Sequence, residues 1–184
     1  SLVKRLKVGR YTQITIAGLG QIYWHKGEGK KCSEIGHELI NYGKKHSNYR
    51  CLATGYICVG LAFNVNGELP LAINSFKKAN DVSTDPFYSQ WSRLYLGFCY
   101  LENKQLLEAE KSLAEVVNYS DNFDCGYLGI PARFVLGVTM IARERMSDGF
   151  NLLNKAYEET IQKKWYTLNT IQEHILGQMY LQIA

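Results

Sequence analysis

A chain of 184 residues that is 46% hydrophobic and 21% charged has the apolar material to bury a core, and its net charge of +4 is too small to hold it open, which excludes a disordered tail. No run approaches the roughly 18 apolar residues that a membrane helix needs, and the basic start, Ser1 to Arg10, lacks the apolar centre of a secretory signal, so a cytoplasmic home is expected. The five cysteines, at 32, 51, 58, 99 and 125, are odd in number and form no CxxC pair, which fits reduced core thiols rather than a disulfide framework.

Apolar residues at spacings of three and four predict helices over about 10–26, 30–46, 49–65, 69–82, 87–102, 105–119, 127–144, 147–163 and 167–183, and strands find almost no support. Turn formers cluster at Gly27-Glu28-Gly29, Asn66-Gly67, Ser83-Thr84-Asp85-Pro86 and Ser120-Asp121-Asn122, with Asp85 and Ser147 as expected N-caps. Residues 1–50 hold ten Lys/Arg against three Asp/Glu. These basic residues are spread through helical segments rather than clustered with aromatics, which describes a solvated face and argues against a nucleic-acid surface.

A repeat runs through the chain. Leu19-Gly20, Val59-Gly60, Leu96-Gly97, Leu136-Gly137 and Leu176-Gly177 each have a large residue three places after the glycine: Tyr23, Phe63, Tyr100, Met140 and Tyr180. The glycines stand 40, 37, 40 and 40 residues apart. Twelve places after the first four comes a small residue, Cys32, Ala72, Ala109 and Gly149, and sixteen after three of them a large one, Phe76, Leu113 and Leu153. That pattern describes helical hairpins: a glycine and a small residue let two backbones approach at a crossing, and the large residue fills the gap beside it. The units span about 13–52, 53–89, 90–129 and 130–169, with a partial one at 170–184. Its unpartnered Leu176, Tyr180 and Leu181 suggest an excised fragment and a homodimer through that uncapped end.

These residues resemble the tetratricopeptide repeat (TPR) family. The match is best over Ala53 to Pro86, where Tyr56, Val59, Gly60, Phe63, Gly67, Ala72, Phe76 and Ala79 occupy the family's eight characteristic positions and Pro86 closes the unit. Elsewhere Gly36 and Leu39 replace the expected large and small residues, Arg93 and Arg133 replace an aromatic, and Val116 replaces a small residue. The resemblance implies an all-α fold, a right-handed superhelical array of antiparallel hairpins. It also implies a non-catalytic scaffold that binds a protein or peptide. The long, degenerate repeats are similar to those in C-terminal regions of multidomain ATPase, cyclase or transcriptional regulators.

In such an array the first helices line the inner face, through the positions six and three before each glycine and one and four after it. Trp24 falls in that register in the first unit. The residues expected to form an apolar partner-binding groove are Ile57, Leu61, Asn64, Trp91, Leu94, Phe98, Phe134 and Val138. The family's two-carboxylate clamp is absent, since no Lys or Arg occupies these positions. Burial of the groove by high superhelical curvature, or by a neighbouring helix of the full protein, is the competing expectation.

Other chemistry finds little support. Gly18-Leu19-Gly20 lacks the third glycine and the preceding strand of a dinucleotide fingerprint, and Gly27-Glu28-Gly29-Lys30-Lys31 is a phosphate loop only superficially, so no cofactor is expected. Cys51 and Cys58 share a helix face without histidines at metal-ligand spacing, so no metal is expected either. Two alternatives stand beside the scaffold reading: binding of nucleic acid or an acidic partner through the basic N-terminal units, and an enzyme with a Cys/His pair assembled in space.

Overall fold

A computed structural model describes residues 12–164, and every regular element among them is an α-helix. In order they are α1 (Thr12–His25), α2 (Gly29–His46), α3 (Tyr49–Val65), α4 (Leu69–Val82), α5 (Pro86–Glu102), α6 (Leu106–Phe123), α7 (Gly126–Ala142) and α8 (Met146–Gln162). The expected helix at 167–183, the crossing at Gly177 and the uncapped end at Leu176, Tyr180 and Leu181 lie outside the described residues. The helices follow one another as an array of hairpins, and the chain forms two compact units, 1–99 and 100–184, that divide inside α5.

In the first unit the glycine ladder marks the crossings. A Cβ on Gly60 would stand 2.6 Å from the Phe76 ring, so this large residue fills the space that glycine leaves. Gly20 packs against Cys58, and the Cys32 thiol donates to the carbonyls of Gly20, at 3.3 Å, and of Cys58, at 3.1 Å. One buried thiol thus ties α1, α2 and α3 together. Gly36, a departure from the family pattern, sits where α2 and α3 touch: a Cβ there would be 2.8 Å from the Gly55 carbonyl, and one on Gly55 would be 2.8 Å from the Gly36 carbonyl.

The second unit repeats the device. Gly137 and Gly149 bring α7 and α8 backbone to backbone, each facing the other's carbonyl oxygen within 2.8 Å of where a Cβ would be. Arg133, another departure, is buried on α7. It donates through Nη1 to Glu159 of α8 at 2.6 Å and through Nη2 to Asp121 of α6, which clips three helices together. Arg143 and Arg145 converge on Glu110 in a more exposed network.

Two boundary expectations change. The break expected at Ser120-Asp121-Asn122 lies within α6, because the Ser120 hydroxyl donates to the Cys125 carbonyl and Asp121 pairs with Arg133, so polar groups that favour turns find other partners. Ser147 is the second residue of α8 and caps nothing, whereas Asp85 does cap α5 by accepting from the Phe87 N–H at 3.1 Å. Asn48 similarly accepts from the Cys51 N–H at the start of α3. Pro86, read as closing a unit, opens α5, where its fixed φ suits a first helical turn.

The turns repeat as closely as the crossings. Seven residues after each crossing glycine the backbone is left-handed, at Gly27 (φ 69°), Gly67 (φ 74°), Lys104 (φ 57°) and Glu144 (φ 63°). The first two are glycine, as this conformation favours. A non-glycine residue there carries a cost of about 1–2 kcal/mol, part of which glycine's looser unfolded chain gives back. Lys104→Gly and Glu144→Gly are therefore each expected to stabilise the protein, by about 0.5–1 kcal/mol, as read by denaturant midpoints. Lower midpoints would mean that the lysine and glutamate side chains contribute more than the backbone loses.

Candidate partner-binding face

The register that places residues on the inner face can be followed residue by residue. Ile57, Leu61 and Asn64 stand on α3, Trp91, Leu94 and Phe98 on α5, and Phe134 and Val138 on α7. The first six belong to the first unit and the last two to the second.

An open apolar groove at these positions is not what the structure has. Ile57, Leu61, Trp91, Leu94, Phe98, Phe134 and Val138 are all buried, none more than 8% exposed, and only Asn64 is half-buried. In this conformation the seven are core residues. Curvature accounts for part of this in the first unit, where α1 comes close enough for its side chains to reach past α3 to α5. The Trp24 indole N–H donates to Asn64 Oδ1 at 2.7 Å, and its ring meets Tyr95 and Phe98 edge-on, with centroids 5.7 and 6.0 Å away. One turn earlier, Gln21 donates to the Tyr95 hydroxyl at 2.5 Å. Asn64 passes the chain of contacts on, its amide donating to the Cys99 thiol at 3.8 Å. Tyr95 also stacks on Phe76 with centroids 5.4 Å apart, which anchors it to α4.

Trp24 and Asn64 occupy the same register position, four after Gly20 and Gly60, so the indole–amide contact joins equivalent points on neighbouring hairpins. Gln21 and Trp24 were legible as inner-face positions. Tyr95 and Cys99 were not, since neither falls on the four positions taken to point inward.

Burial pushes the Cys51 thiol up to about 11, and the contact with Cys32, together with burial, raises Cys58. Both are the reverse of what activates a thiol nucleophile. His37 shares its Nδ1 with the Ser33 carbonyl at 2.8 Å. Among the described residues no three His, Cys, Asp or Glu side chains converge on a point that suits a metal ion. A cleft of about 370 Å³ between the start of α2 and the end of α3 is lined by Gly29, Lys30, Ser33, Glu34, Val59, Ala62, Phe63 and Asn66. Its lining mixes charged and apolar groups.

The outer surface is less polar than a solvated helix requires. Met146, Phe150, Tyr157 and Ile161 are exposed along one side of α8, spaced at four, seven and four residues. No helix among the described residues is long and apolar enough to cross a membrane.

No protein-family model matches the sequence, and no curated protein matches it. Solved structures do. A chain described as a kinesin light chain of Podosopora anserina with nearly identical TPR-like repeats superposes with a TM-score of 0.62 at 16% identity, over 80% of this chain and 74% of that one. A single-substitution variant of that protein gives a TM-score of 0.63 at 15% identity over the same shares. Likeness at this identity is likeness of fold, and the fold of this chain is accordingly that of a TPR-like helical repeat protein.

Proposed function

We propose that the chain is a non-catalytic protein-interaction scaffold, the TPR-like region of a larger cytoplasmic signalling or regulatory protein, and that it receives a partner's amphipathic helix or apolar peptide on the inner face of its first helices. The fold supports the general role, since helical repeat arrays commonly present such faces to proteins. The repeat length, which resembles that of C-terminal regions in multidomain regulators, supports the setting. The observation that carries the site is the polar opening in the first unit: Asn64, the one half-buried residue of the expected groove, is met by the half-buried Trp24 of α1, beside Gln21 on the Tyr95 hydroxyl.

Selection of displayed helical peptides on the folded chain should yield amphipathic sequences with apolar anchors. Their binding should fall at least about tenfold in Asn64→Lys, which sets a charge in the middle of the face. Equal binding by parent and variant would move the site elsewhere, first to the exposed side of α8. The basic first fifty residues keep one other reading in play. Binding of an oligonucleotide that weakens steeply with salt would favour it.

A further inference from the structure

We propose that copies of this chain associate head to tail: the exposed apolar side of α8 in one copy seats α1 of a second copy, as the second helix of each earlier hairpin seats the first helix of the hairpin that follows. The surfaces involved are separate from the inner face.

The joints between hairpins define the two halves of such a contact. On α2, α4 and α6 the positions nine, thirteen and twenty after the crossing glycine face the next hairpin, and all of them are buried or half-buried. Ile40 of α2 meets Gly55 of α3, Asn80 of α4 accepts from Ser89 of α5 at 2.6 Å, and Glu110 of α6 accepts from Arg143 and Arg145 just beyond α7. On α8 the same positions are Met146, Phe150 and Tyr157, and they are 55%, 56% and 58% exposed. The first helices supply the other half, at the positions five and one before the glycine and two after it. These residues are buried throughout α3, α5 and α7. On α1, by contrast, Thr15 is exposed, Leu19 is half-buried and Ile22 is 50% exposed. The first and last described helices therefore each expose one half of the joint that the others complete.

Side-chain size selects the occupant. Five places before the glycine stand Gly55, Ser92 and Ala132, because the backbones come close there: a Cβ on Gly55 would already lie 2.8 Å from the Gly36 carbonyl. Thr15 keeps that position small on α1. The chain's own next segment does not, since Gln172 holds the position before Gly177 and would overfill the gap. A second copy of α1 also sets Leu19 and Ile22 against Met146 and Phe150, so apolar surface meets apolar surface. Because the two faces differ, the contact is heterologous, and each added copy again offers one face of each kind.

Sedimentation velocity of the full chain, from about 10 µM to about 1 mM, should show a weight-average mass that rises at least about twofold, as a small interface gives. Ile22→Asp spoils only the α1 half and Phe150→Asp only the α8 half, and both side chains are exposed, so the fold should be spared. Each variant alone should stay monomeric. Their equimolar mixture should form a one-to-one dimer through the two intact halves and grow no further. A parent that is monomeric throughout would overturn the proposal, and so would single variants that associate like the parent. A mixture that stays monomeric while the parent associates would do the same, because the contact would then be symmetric. Hydrogen exchange tests the rival occupant: amides of 167–183 that are protected in a monomeric parent and lose protection in Phe150→Asp would give the α8 face to the chain's own last segment instead.

Discussion

Gly36→Leu is expected to lower stability by about 3 kcal/mol or more, and Gly18→Ala to raise it by about 0.5–1 kcal/mol, although both glycines lie inside helices. The difference comes from what each Cβ would meet. At Gly36 it would lie 2.7 Å from Val59 Cγ2, 2.8 Å from the Gly55 carbonyl and 2.9 Å from the Val59 nitrogen. Two of these are backbone atoms of α3, which cannot rotate away, so α2 and α3 must separate. At Gly18 nothing lies within 4 Å, and alanine simply removes the entropic cost of a helical glycine. Urea midpoints of the two variants and the parent decide the matter. An unchanged midpoint in Gly36→Leu would mean that the α2–α3 crossing is not where it has been placed.

A second large effect is expected at Arg133, and its size depends on which side of the ion pair is cut. The guanidinium side is 3% exposed, whereas the side chains of Asp121 and Glu159 are 48% and 22% exposed. Removing the arginine leaves two carboxylates that water can reach, but removing the carboxylates strands a cation that water cannot. The combined Asp121→Ala and Glu159→Ala change should therefore cost about 3–5 kcal/mol, while Arg133→Met, which keeps most of the volume, should stay within about 1.5 kcal/mol of the parent. The Arg133 Nε is buried with no hydrogen-bond partner, so the arginine is incompletely satisfied even when paired, which makes methionine easier to accept. If Arg133→Met proves the more damaging of the two, then the network stabilises the fold beyond its desolvation cost.

Both predictions concern residues that a family comparison reads as defects. Gly36 stands where a large residue is expected and Arg133 where an aromatic is, yet each is a fitted part of a crossing or a clip. Most helix boundaries were legible because they rest on local signals: periodic apolar positions, clustered turn formers, a capping Asp85. The end of α6 was not, because it turns on the pairing of Asp121 with an arginine twelve residues away. Openness of the inner face was beyond the reach of periodicity for a related reason. Register tells which side of α3 and α5 Ile57, Leu61 and Phe98 occupy, but whether α1 leans far enough for Trp24 to touch Tyr95 depends on how tightly successive hairpins curl. That curl is set by the sizes of residues at several crossings at once, and no single position announces it.

The left-handed residues also recur where one hairpin passes to the next, at Ser47, Asp124 and Lys164, each 27 places after its crossing glycine, while the shorter second unit leaves α4 through an extended Ser83. Backbone conformation therefore keeps time with the 40-residue period even where the side chains have lost it. A duplicated block cut at these joints would present matching ends, so growth or loss of whole units is available to such a chain in a single genetic event. An insertion of one or two residues inside a helix would instead turn the rest of that helix to a different face. The three-residue deficit of the second unit coincides with the one joint among the described residues that abandons the left-handed form, so the change in length and the change in backbone fall at the same place.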